Sequence, residues 1–138
     1  RHLEEMIGVH LLTQWRQQVH APTSPTLHSL APRHVLMAEQ HIRDRAREAP
    51  TLSALASHAG VSVRTLNAAF REYRQCTPMQ ALRDARLAGV RADLLAARPG
   101  ARVRDVAEAW GYAQLGIFAA NYRQRFGESP SETLNRRA

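Results

Sequence analysis

Apolar residues recur at three- and four-residue spacing along most of the chain, and no segment sustains the alternation that marks a strand. Leu3, Ile7, Leu11 and Trp15 fall at four-residue intervals, flanked by Met6, Leu12 and Val19, which predicts an amphipathic helix over 3–19. Pro22 and Pro25 punctuate residues 20–31, which read as a linker. Pro32 opens a helix to about Ala46, with Val35, Met37, Ala38 and Ile42 available for a core. Thr51 caps the next helix, whose Leu52, Leu55, Ala56 and Ala59 face inward. Ser62 caps a third that runs to about Arg74, with Leu66 and Phe70 inward. Thr77, Pro78 and Gln80 supply the cap, first-turn proline and third-position acceptor of a capping box. The long helix they open continues to about Ala97, where Pro99-Gly100 stops it. Helices over 103–110 and 115–126 follow, and Ser129-Pro130-Ser131-Glu132 repeats the capping logic for a last one. Arg102 is a poor cap for the helix at Val103. The pattern is all-α, with about seven helices after the amphipathic N-terminal one.

Within this pattern one arrangement occurs twice. Leu55-Ala56, Ala59-Gly60-Val61, Leu66, Phe70 and Thr77-Pro78 are matched by Val106-Ala107, Trp110-Gly111-Tyr112, Phe118, Tyr122 and Ser129-Pro130. The offset is 51 residues up to the glycine turn and 52 from Leu66/Phe118 onward, so the second copy carries one extra residue in or after its turn. An alanine, a glycine four residues later and an apolar residue beyond it describe two helices crossing steeply through a tight turn. The alanine permits close approach, and the glycine accepts a left-handed backbone that a side chain disfavours. Each copy is therefore a helix-turn-helix unit.

A repeat of this length divides the 138 residues into two small subdomains, 32–76 and 99–138, joined by a linker helix over 77–98. Residues 1–19 read as the end of an N-terminal effector or dimerisation domain, and the initial Arg1 suggests a piece of a longer protein. The net charge of +7 and pI of about 11.1 point to a polyanionic partner. All 19 basic residues are arginine, which suits phosphate and guanine recognition, although GC-rich coding explains the missing lysine as well. Cys76 is the only cysteine, which excludes an internal disulfide and fits a reducing cytoplasm. The seven histidines are scattered without metal-site spacing, and His34 and His41 read as a solvated helix face. No apolar run is long enough to span a membrane, and no nucleophile–base pair is legible. No enzyme, cofactor, metal or membrane association is expected.

Arg86-Leu87, Leu94-Leu95, Val103, Val106-Ala107, Gly111-Tyr112, Phe118, Tyr122, Phe126-Gly127 and Ser129-Pro130 resemble the DNA-binding region of the AraC/XylS family of bacterial transcription regulators. The resemblance covers about residues 31–136 and implies two helix-turn-helix subdomains on a long helix, beside an N-terminal domain that senses an effector or dimerises. It implies an activator acting on double-stranded promoter DNA in the cytoplasm, on the nucleoid, with RNA polymerase as a partner and a homodimer formed through the N-terminal domain. Three positions depart from the family pattern: Ala68 replaces a common arginine, Gln75 a usual glycine, and Ala81 a frequent tyrosine. The first removes a DNA contact; the other two imply local adjustment of turn and packing.

The second helix of each unit is expected in the major groove, which alone admits a helix and distinguishes all four base pairs. By resemblance, Arg64, Asn67 and Ala68 occupy base-reading positions, Arg64 suited to guanine and Asn67 to adenine. Ser62 at the helix start, with Thr65, Arg71 and Arg74, belongs to the same interface, the last three toward phosphate. The second recognition helix offers Gln114, then Leu115, Gly116, Ile117, Ala119 and Ala120, then Arg123 and Arg125. Its central five residues make no side-chain hydrogen bond, so apolar and shape readout is expected there, with the two arginines on phosphate. Two alternatives stay open: a DNA-targeting module of a repair enzyme, or one helix-turn-helix contacting RNA polymerase or another partner.

Overall fold

A computed structural model describes residues 30–136, and every regular element among them is helical. The expected helix over 3–19 and all but the end of the linker over 20–31 lie outside the described residues. Helix α1 is Arg33–Arg45, extended by a 3-10 turn over Ala46–Glu48; α2 is Leu52–Ala59 and α3 Val63–Arg74. The long α4 is Pro78–Ala96, followed by α5 (Val103–Ala109), α6 (Leu115–Phe126) and α7 (Pro130–Arg136).

Capping explains where most of these begin. Thr51 accepts from the Ala54 amide at 3.1 Å, and Ser62 from the Thr65 amide at 3.1 Å. Thr77 and Gln80 close a full capping box, as do Ser129 and Glu132, each by two reciprocal bonds. Arg102 contributes no side-chain cap, and only Asp105 in the first turn of α5 favours that helix end electrostatically.

The two turns share one hydrogen-bond pattern. Gly60 N–H donates to Ser57 O and Val61 N–H to Ala56 O; Gly111 N–H donates to Glu108 O and Tyr112 N–H to Ala107 O. These are the paired closing bonds of a Schellman motif, with the glycines at φ +73° and +80°. From glycine to helix cap the first turn runs Gly60 to Ser62 and the second Gly111 to Gln114, which locates the extra residue in the second turn.

The repeat extends further back than the helix-turn-helix pairs. Val35, Ala38 and Ile42 are the buried stripe of α1, and Leu87, Val90 and Leu94, each 52 residues on, are buried along α4. The linker helix thus serves as the first helix of the second unit, and each unit is a three-helix cluster. In the first, Leu55, Ala56, Leu66 and Phe70 complete the core; in the second, Ala107, Phe118 and Tyr122 do so. Met37 and Leu52, expected in the core, are only half-buried. His41 is not on a freely solvated face: its ring stacks on His58 of α2 at 4.3 Å.

Candidate nucleic-acid interface

Helix α3 buries Leu66, Ala69 and Phe70, which turns the opposite face outward. Arg64, Thr65, Ala68 and Arg71 on that face are exposed and Asn67 is half-buried. No ion pair or side-chain hydrogen bond among the described residues engages Arg64, Asn67 or Arg71, so their donors are free. Ser62 and Thr65 are occupied with each other: besides the cap, the Ser62 hydroxyl donates to Thr65 Oγ1 at 2.9 Å. The pair fixes the N-terminus of α3 and leaves no loose hydroxyl there.

Arg74, expected toward phosphate, is engaged inside the fold. Its guanidinium is bound through Nε and Nη2 to the Glu39 carboxylate of α1, the second bond measuring 3.2 Å, and Nη1 donates to Tyr73 O at 3.0 Å. With side-chain exposure of 15% for Arg74 and 19% for Glu39, this is a fork-to-carboxylate pair bracing α3 against α1. Three of its five N–H donors are already used inside the fold. The partner lies 35 residues away and shows no periodic relation to Arg74, so local sequence reading had no means of finding it.

On α6 the buried side is Phe118 and Tyr122, and the outward side carries Gly116, Ile117, Ala120 and Arg123. Ile117 is 59% exposed, while Leu115 and Ala119 are half-buried at the edges. A methyl group added at Gly116 would meet nothing within 4 Å, so the helix surface is open there. Gln114 supplies no cap to α6, in contrast to Ser62 on α3. Arg123 is exposed and unpaired among the described residues, whereas Arg125 leans on Asp84 of α4 at 3.4 Å and stays half-exposed.

Beside each recognition helix lies an open cleft of about 400 Å³. The first runs between α1 and α3, with Pro32, Ala69, Glu72 and Tyr73 in its walls together with Arg64, Thr65 and Ala68. The second runs between α4 and α6, where Asp84, Asn121, Gln124 and Arg125 stand 52 residues after Pro32, Ala69, Glu72 and Tyr73. Gln75, Gln80 and Arg83 add three more donors to the second cleft. Arg83 on α4 and Asn121 on α6 escaped the sequence reading, which singled out Gln80 only as a capping residue. Cys76 also lines this cleft, half-buried, and burial pushes its thiol pKa up from the ordinary value.

The second unit is held by an aromatic chain, Tyr112–Phe118–Tyr122–Phe126, with successive centroids 4.8, 5.9 and 4.7 Å apart. Arg86 and Arg91 of α4 sit over Tyr112 and Phe126 at 4.8 and 4.9 Å. Behind the rings, Tyr122 and Thr133 hydroxyls are 2.7 Å apart, and Thr133 donates to Glu128 at 2.8 Å, which makes Tyr122 the donor of the pair. Burial raises the Tyr122 pKa, consistent with a phenol that keeps its proton.

Among the described residues no group of three or more His, Cys, Asp or Glu is placed to hold a metal, and no helix is long and apolar enough to cross a membrane. The arrangement offers guanidinium and amide donors on two outward helix faces of a basic chain. That is chemistry for binding a polyanion.

Comparison with known proteins agrees. A family model described as "Helix-turn-helix domain" matches residues 55–136. The chain is 39% identical over 101 residues to the "Probable thc operon regulatory protein" of Rhodococcus erythropolis, covering 72% of this chain and 30% of that protein. It is 40% identical over 101 residues to the "XylDLEGF operon transcriptional activator 3" of Pseudomonas putida, covering 71% and 30%. The chain thus spans about 30% of the length of these curated relatives. The crystal structure of a probable AraC family transcriptional regulator from Rhodopseudomonas palustris CGA009 superposes with a TM-score of 0.71 at 32% identity, covering 77% of this chain and 98% of that one. Fold, matched domain and identity agree: the chain belongs to the AraC/XylS family of helix-turn-helix DNA-binding proteins.

Proposed function

We propose that this chain is the DNA-binding region of a bacterial transcription activator that reads an asymmetric promoter site with two unlike recognition helices. The observation that carries the reading is the outward face of α3, where Arg64 and Asn67 stand without partners among the described residues, opposite buried Leu66 and Phe70. Arg64 suits the acceptor edge of guanine and Asn67 that of adenine, each pair contributing about 1–3 kcal/mol of discrimination. Ala68, beside them on the same face, is a small apolar contact. Arg71 beside them neutralises phosphate.

Helix α6 works differently. Leu115, Gly116, Ile117, Ala119 and Ala120 let the backbone approach the groove floor and meet thymine methyl groups, while Gln114, Arg123 and Arg125 anchor the flanks. Arg83, Gln80 and Gln124 in the adjoining cleft add phosphate donors, of which Arg83 had no place in the sequence reading. The 19 residues of α4 span about 28 Å, close to the roughly 34 Å of one DNA turn, so the two helices reach successive major-groove segments. Two unlike units in one chain need no palindrome.

Activation is carried over from the name of the Pseudomonas relative; contact to RNA polymerase, action on nucleoid DNA in the cytoplasm, and dimerisation through a domain outside residues 30–136 rest on the family resemblance of the sequence alone. The exposure of Ile117 favours one secondary reading, in which α6 also presents an apolar contact to the polymerase.

The test is selection of bound sequences from random duplex DNA, followed by gel shifts at several salt concentrations. Asn67→Ala should weaken the selected site about 5- to 150-fold and relax preference at one base pair. Arg123→Ala should weaken all sequences alike and lower the salt slope by about one. A uniform loss from Asn67→Ala, or no loss from Arg123→Ala, would remove the respective assignment.

A further inference from the structure

We infer that Arg47, Asp93 and Trp110, seated on Gly89, form a latch that fixes the two units relative to one another and thereby sets the half-site spacing the chain accepts. The inference rests on the reading that both recognition helices engage DNA. Its three side chains come from three parts of the fold. Arg47 lies in the 3-10 turn that ends the first unit's α1, Asp93 and Gly89 lie on α4, and Trp110 closes α5 in the second unit.

They meet on one carboxylate oxygen. Asp93 Oδ2 accepts from Trp110 Nε1 at 2.7 Å and from Arg47 Nη2 at 3.0 Å. The Arg47 guanidinium also lies over the indole, 4.7 Å from its centroid. Trp110 is 8% exposed, and the benzo edge of its ring occupies the place of a side chain at Gly89. A methyl group there would stand only 2.0–2.9 Å from three ring atoms. Arg86 adds a hydrogen bond to Trp110 O, so the indole and its backbone are both held.

α4 is the first helix of the second unit, and α1 and the 3-10 turn of the first unit pack against it. Arg47 reaches beyond that packing, because it touches Trp110, the residue that closes the second unit's turn. Each DNA base pair inserted between half-sites moves the second groove by about 3.4 Å and rotates it by about one tenth of a turn. A braced pair of units accepts one such arrangement at high effective concentration and loses that advantage at the others. A loosened pair gains tolerance for wrong spacings and forfeits affinity at the right one. Arg47 and Asp93 are therefore positioning residues that need touch no DNA.

The test uses the whole chain, the site selected from random DNA, and versions of it with one or two base pairs inserted or deleted between half-sites. The unaltered chain should prefer its selected spacing by about tenfold or more, and Arg47→Gln or Asp93→Asn should reduce that preference to about threefold or less. Arg47→Lys, which keeps the charge, should restore part of it, and binding to DNA carrying one intact half-site should not change in any variant. A spacing preference that survives both substitutions overturns the inference, as does an equal loss at every spacing. A measurement without DNA separates the latch from the reading beneath it. Spin labels at Ser57→Cys and Asn135→Cys, in a Cys76→Ser background, should give a narrow distance distribution that broadens with Arg47→Gln. An unchanged distribution refutes the latch. If scrambling the second half-site leaves the unaltered chain's affinity intact, the two-helix reading falls, while the distance measurement still judges the latch.

Discussion

The two helix-turn-helix units share a frame and almost nothing that faces outward from it. Both close their turns with the same pair of backbone bonds around a left-handed glycine, and both bury a first helix with stripes 52 residues apart. Yet α3 presents Arg64 and Asn67 from a capped helix start, while α6 presents Gly116, Ile117 and Ala120 from an uncapped one. Their interiors differ as well. The first core is aliphatic around Phe70 with an ion pair, Arg74–Glu39, at its edge; the second is an aromatic chain with a buried hydroxyl network. The difference teaches which features the motif itself requires. Turn geometry and the spacing of buried positions recur because backbone closure demands them; caps, core chemistry and the exposed face are open to separate use.

The largest expected effect comes from exchanging the one core position where the units differ by a hydroxyl. Phe70 and Tyr122 are equivalent and fully buried. Tyr122→Phe removes one hydrogen bond to Thr133, which retains Glu128, and should cost about 1 kcal/mol in urea unfolding. Phe70→Tyr buries a hydroxyl in a closed aliphatic core and should cost about 2–4 kcal/mol. Equal costs would mean that the two cores are interchangeable despite their different chemistry.

The caps come next. Ser62→Ala should cost about 1 kcal/mol, since it frees the Thr65 amide and breaks the hydroxyl pair. Gln114→Ala should cost close to nothing, because Gln114 makes no cap bond to lose. A comparable loss at both positions, by thermal unfolding, would show that α6 has a capping partner in solution that equalises the two starts.

How much of this was legible depends on whether the cause was local. Helix positions and the Thr77 and Ser129 capping boxes follow from neighbours a few residues apart and were read from the chain, as was the extra residue of the second copy, which the structure then located in the turn itself. The exposed Arg64 and the apolar face of α6 were read too, because helical periodicity alone separates them from Leu66 and Phe118. The Arg74–Glu39 pair and the Arg47–Asp93–Trp110 cluster were not, since surface charges carry no period and their partners lie 17 to 46 residues away. Trp110 illustrates the limit. Its place before the turn glycine was plain, but its fit against Gly89 exists only once α5 lies on α4.

The smallest effect tests the position where the two recognition helices end. Gly127 terminates α6 at φ +74°, and the equivalent residue ending α3 is Gln75, at φ +54°. The usual family glycine led to an expectation of local adjustment, but the turn has kept its left-handed geometry and Gln75 has taken the strain. A left-handed conformation costs a residue with a side chain roughly 1–2 kcal/mol, and the extra freedom of glycine in the unfolded chain offsets about half of that. Gln75 Nε2 recovers a little more by donating to Glu72 O at 3.1 Å. Gln75→Gly should therefore stabilise the chain by about 0.5 kcal/mol, and Gly127→Gln, where nothing lies within 4 Å of an added side-chain carbon, should destabilise it by about 0.5–1 kcal/mol. Opposite signs at the two positions would establish that the motif wants glycine at both ends. A stability loss from Gln75→Gly would instead make the Gln75–Glu72 bond worth more than the strain it accompanies, and the first unit would then have evolved its own way of ending a recognition helix.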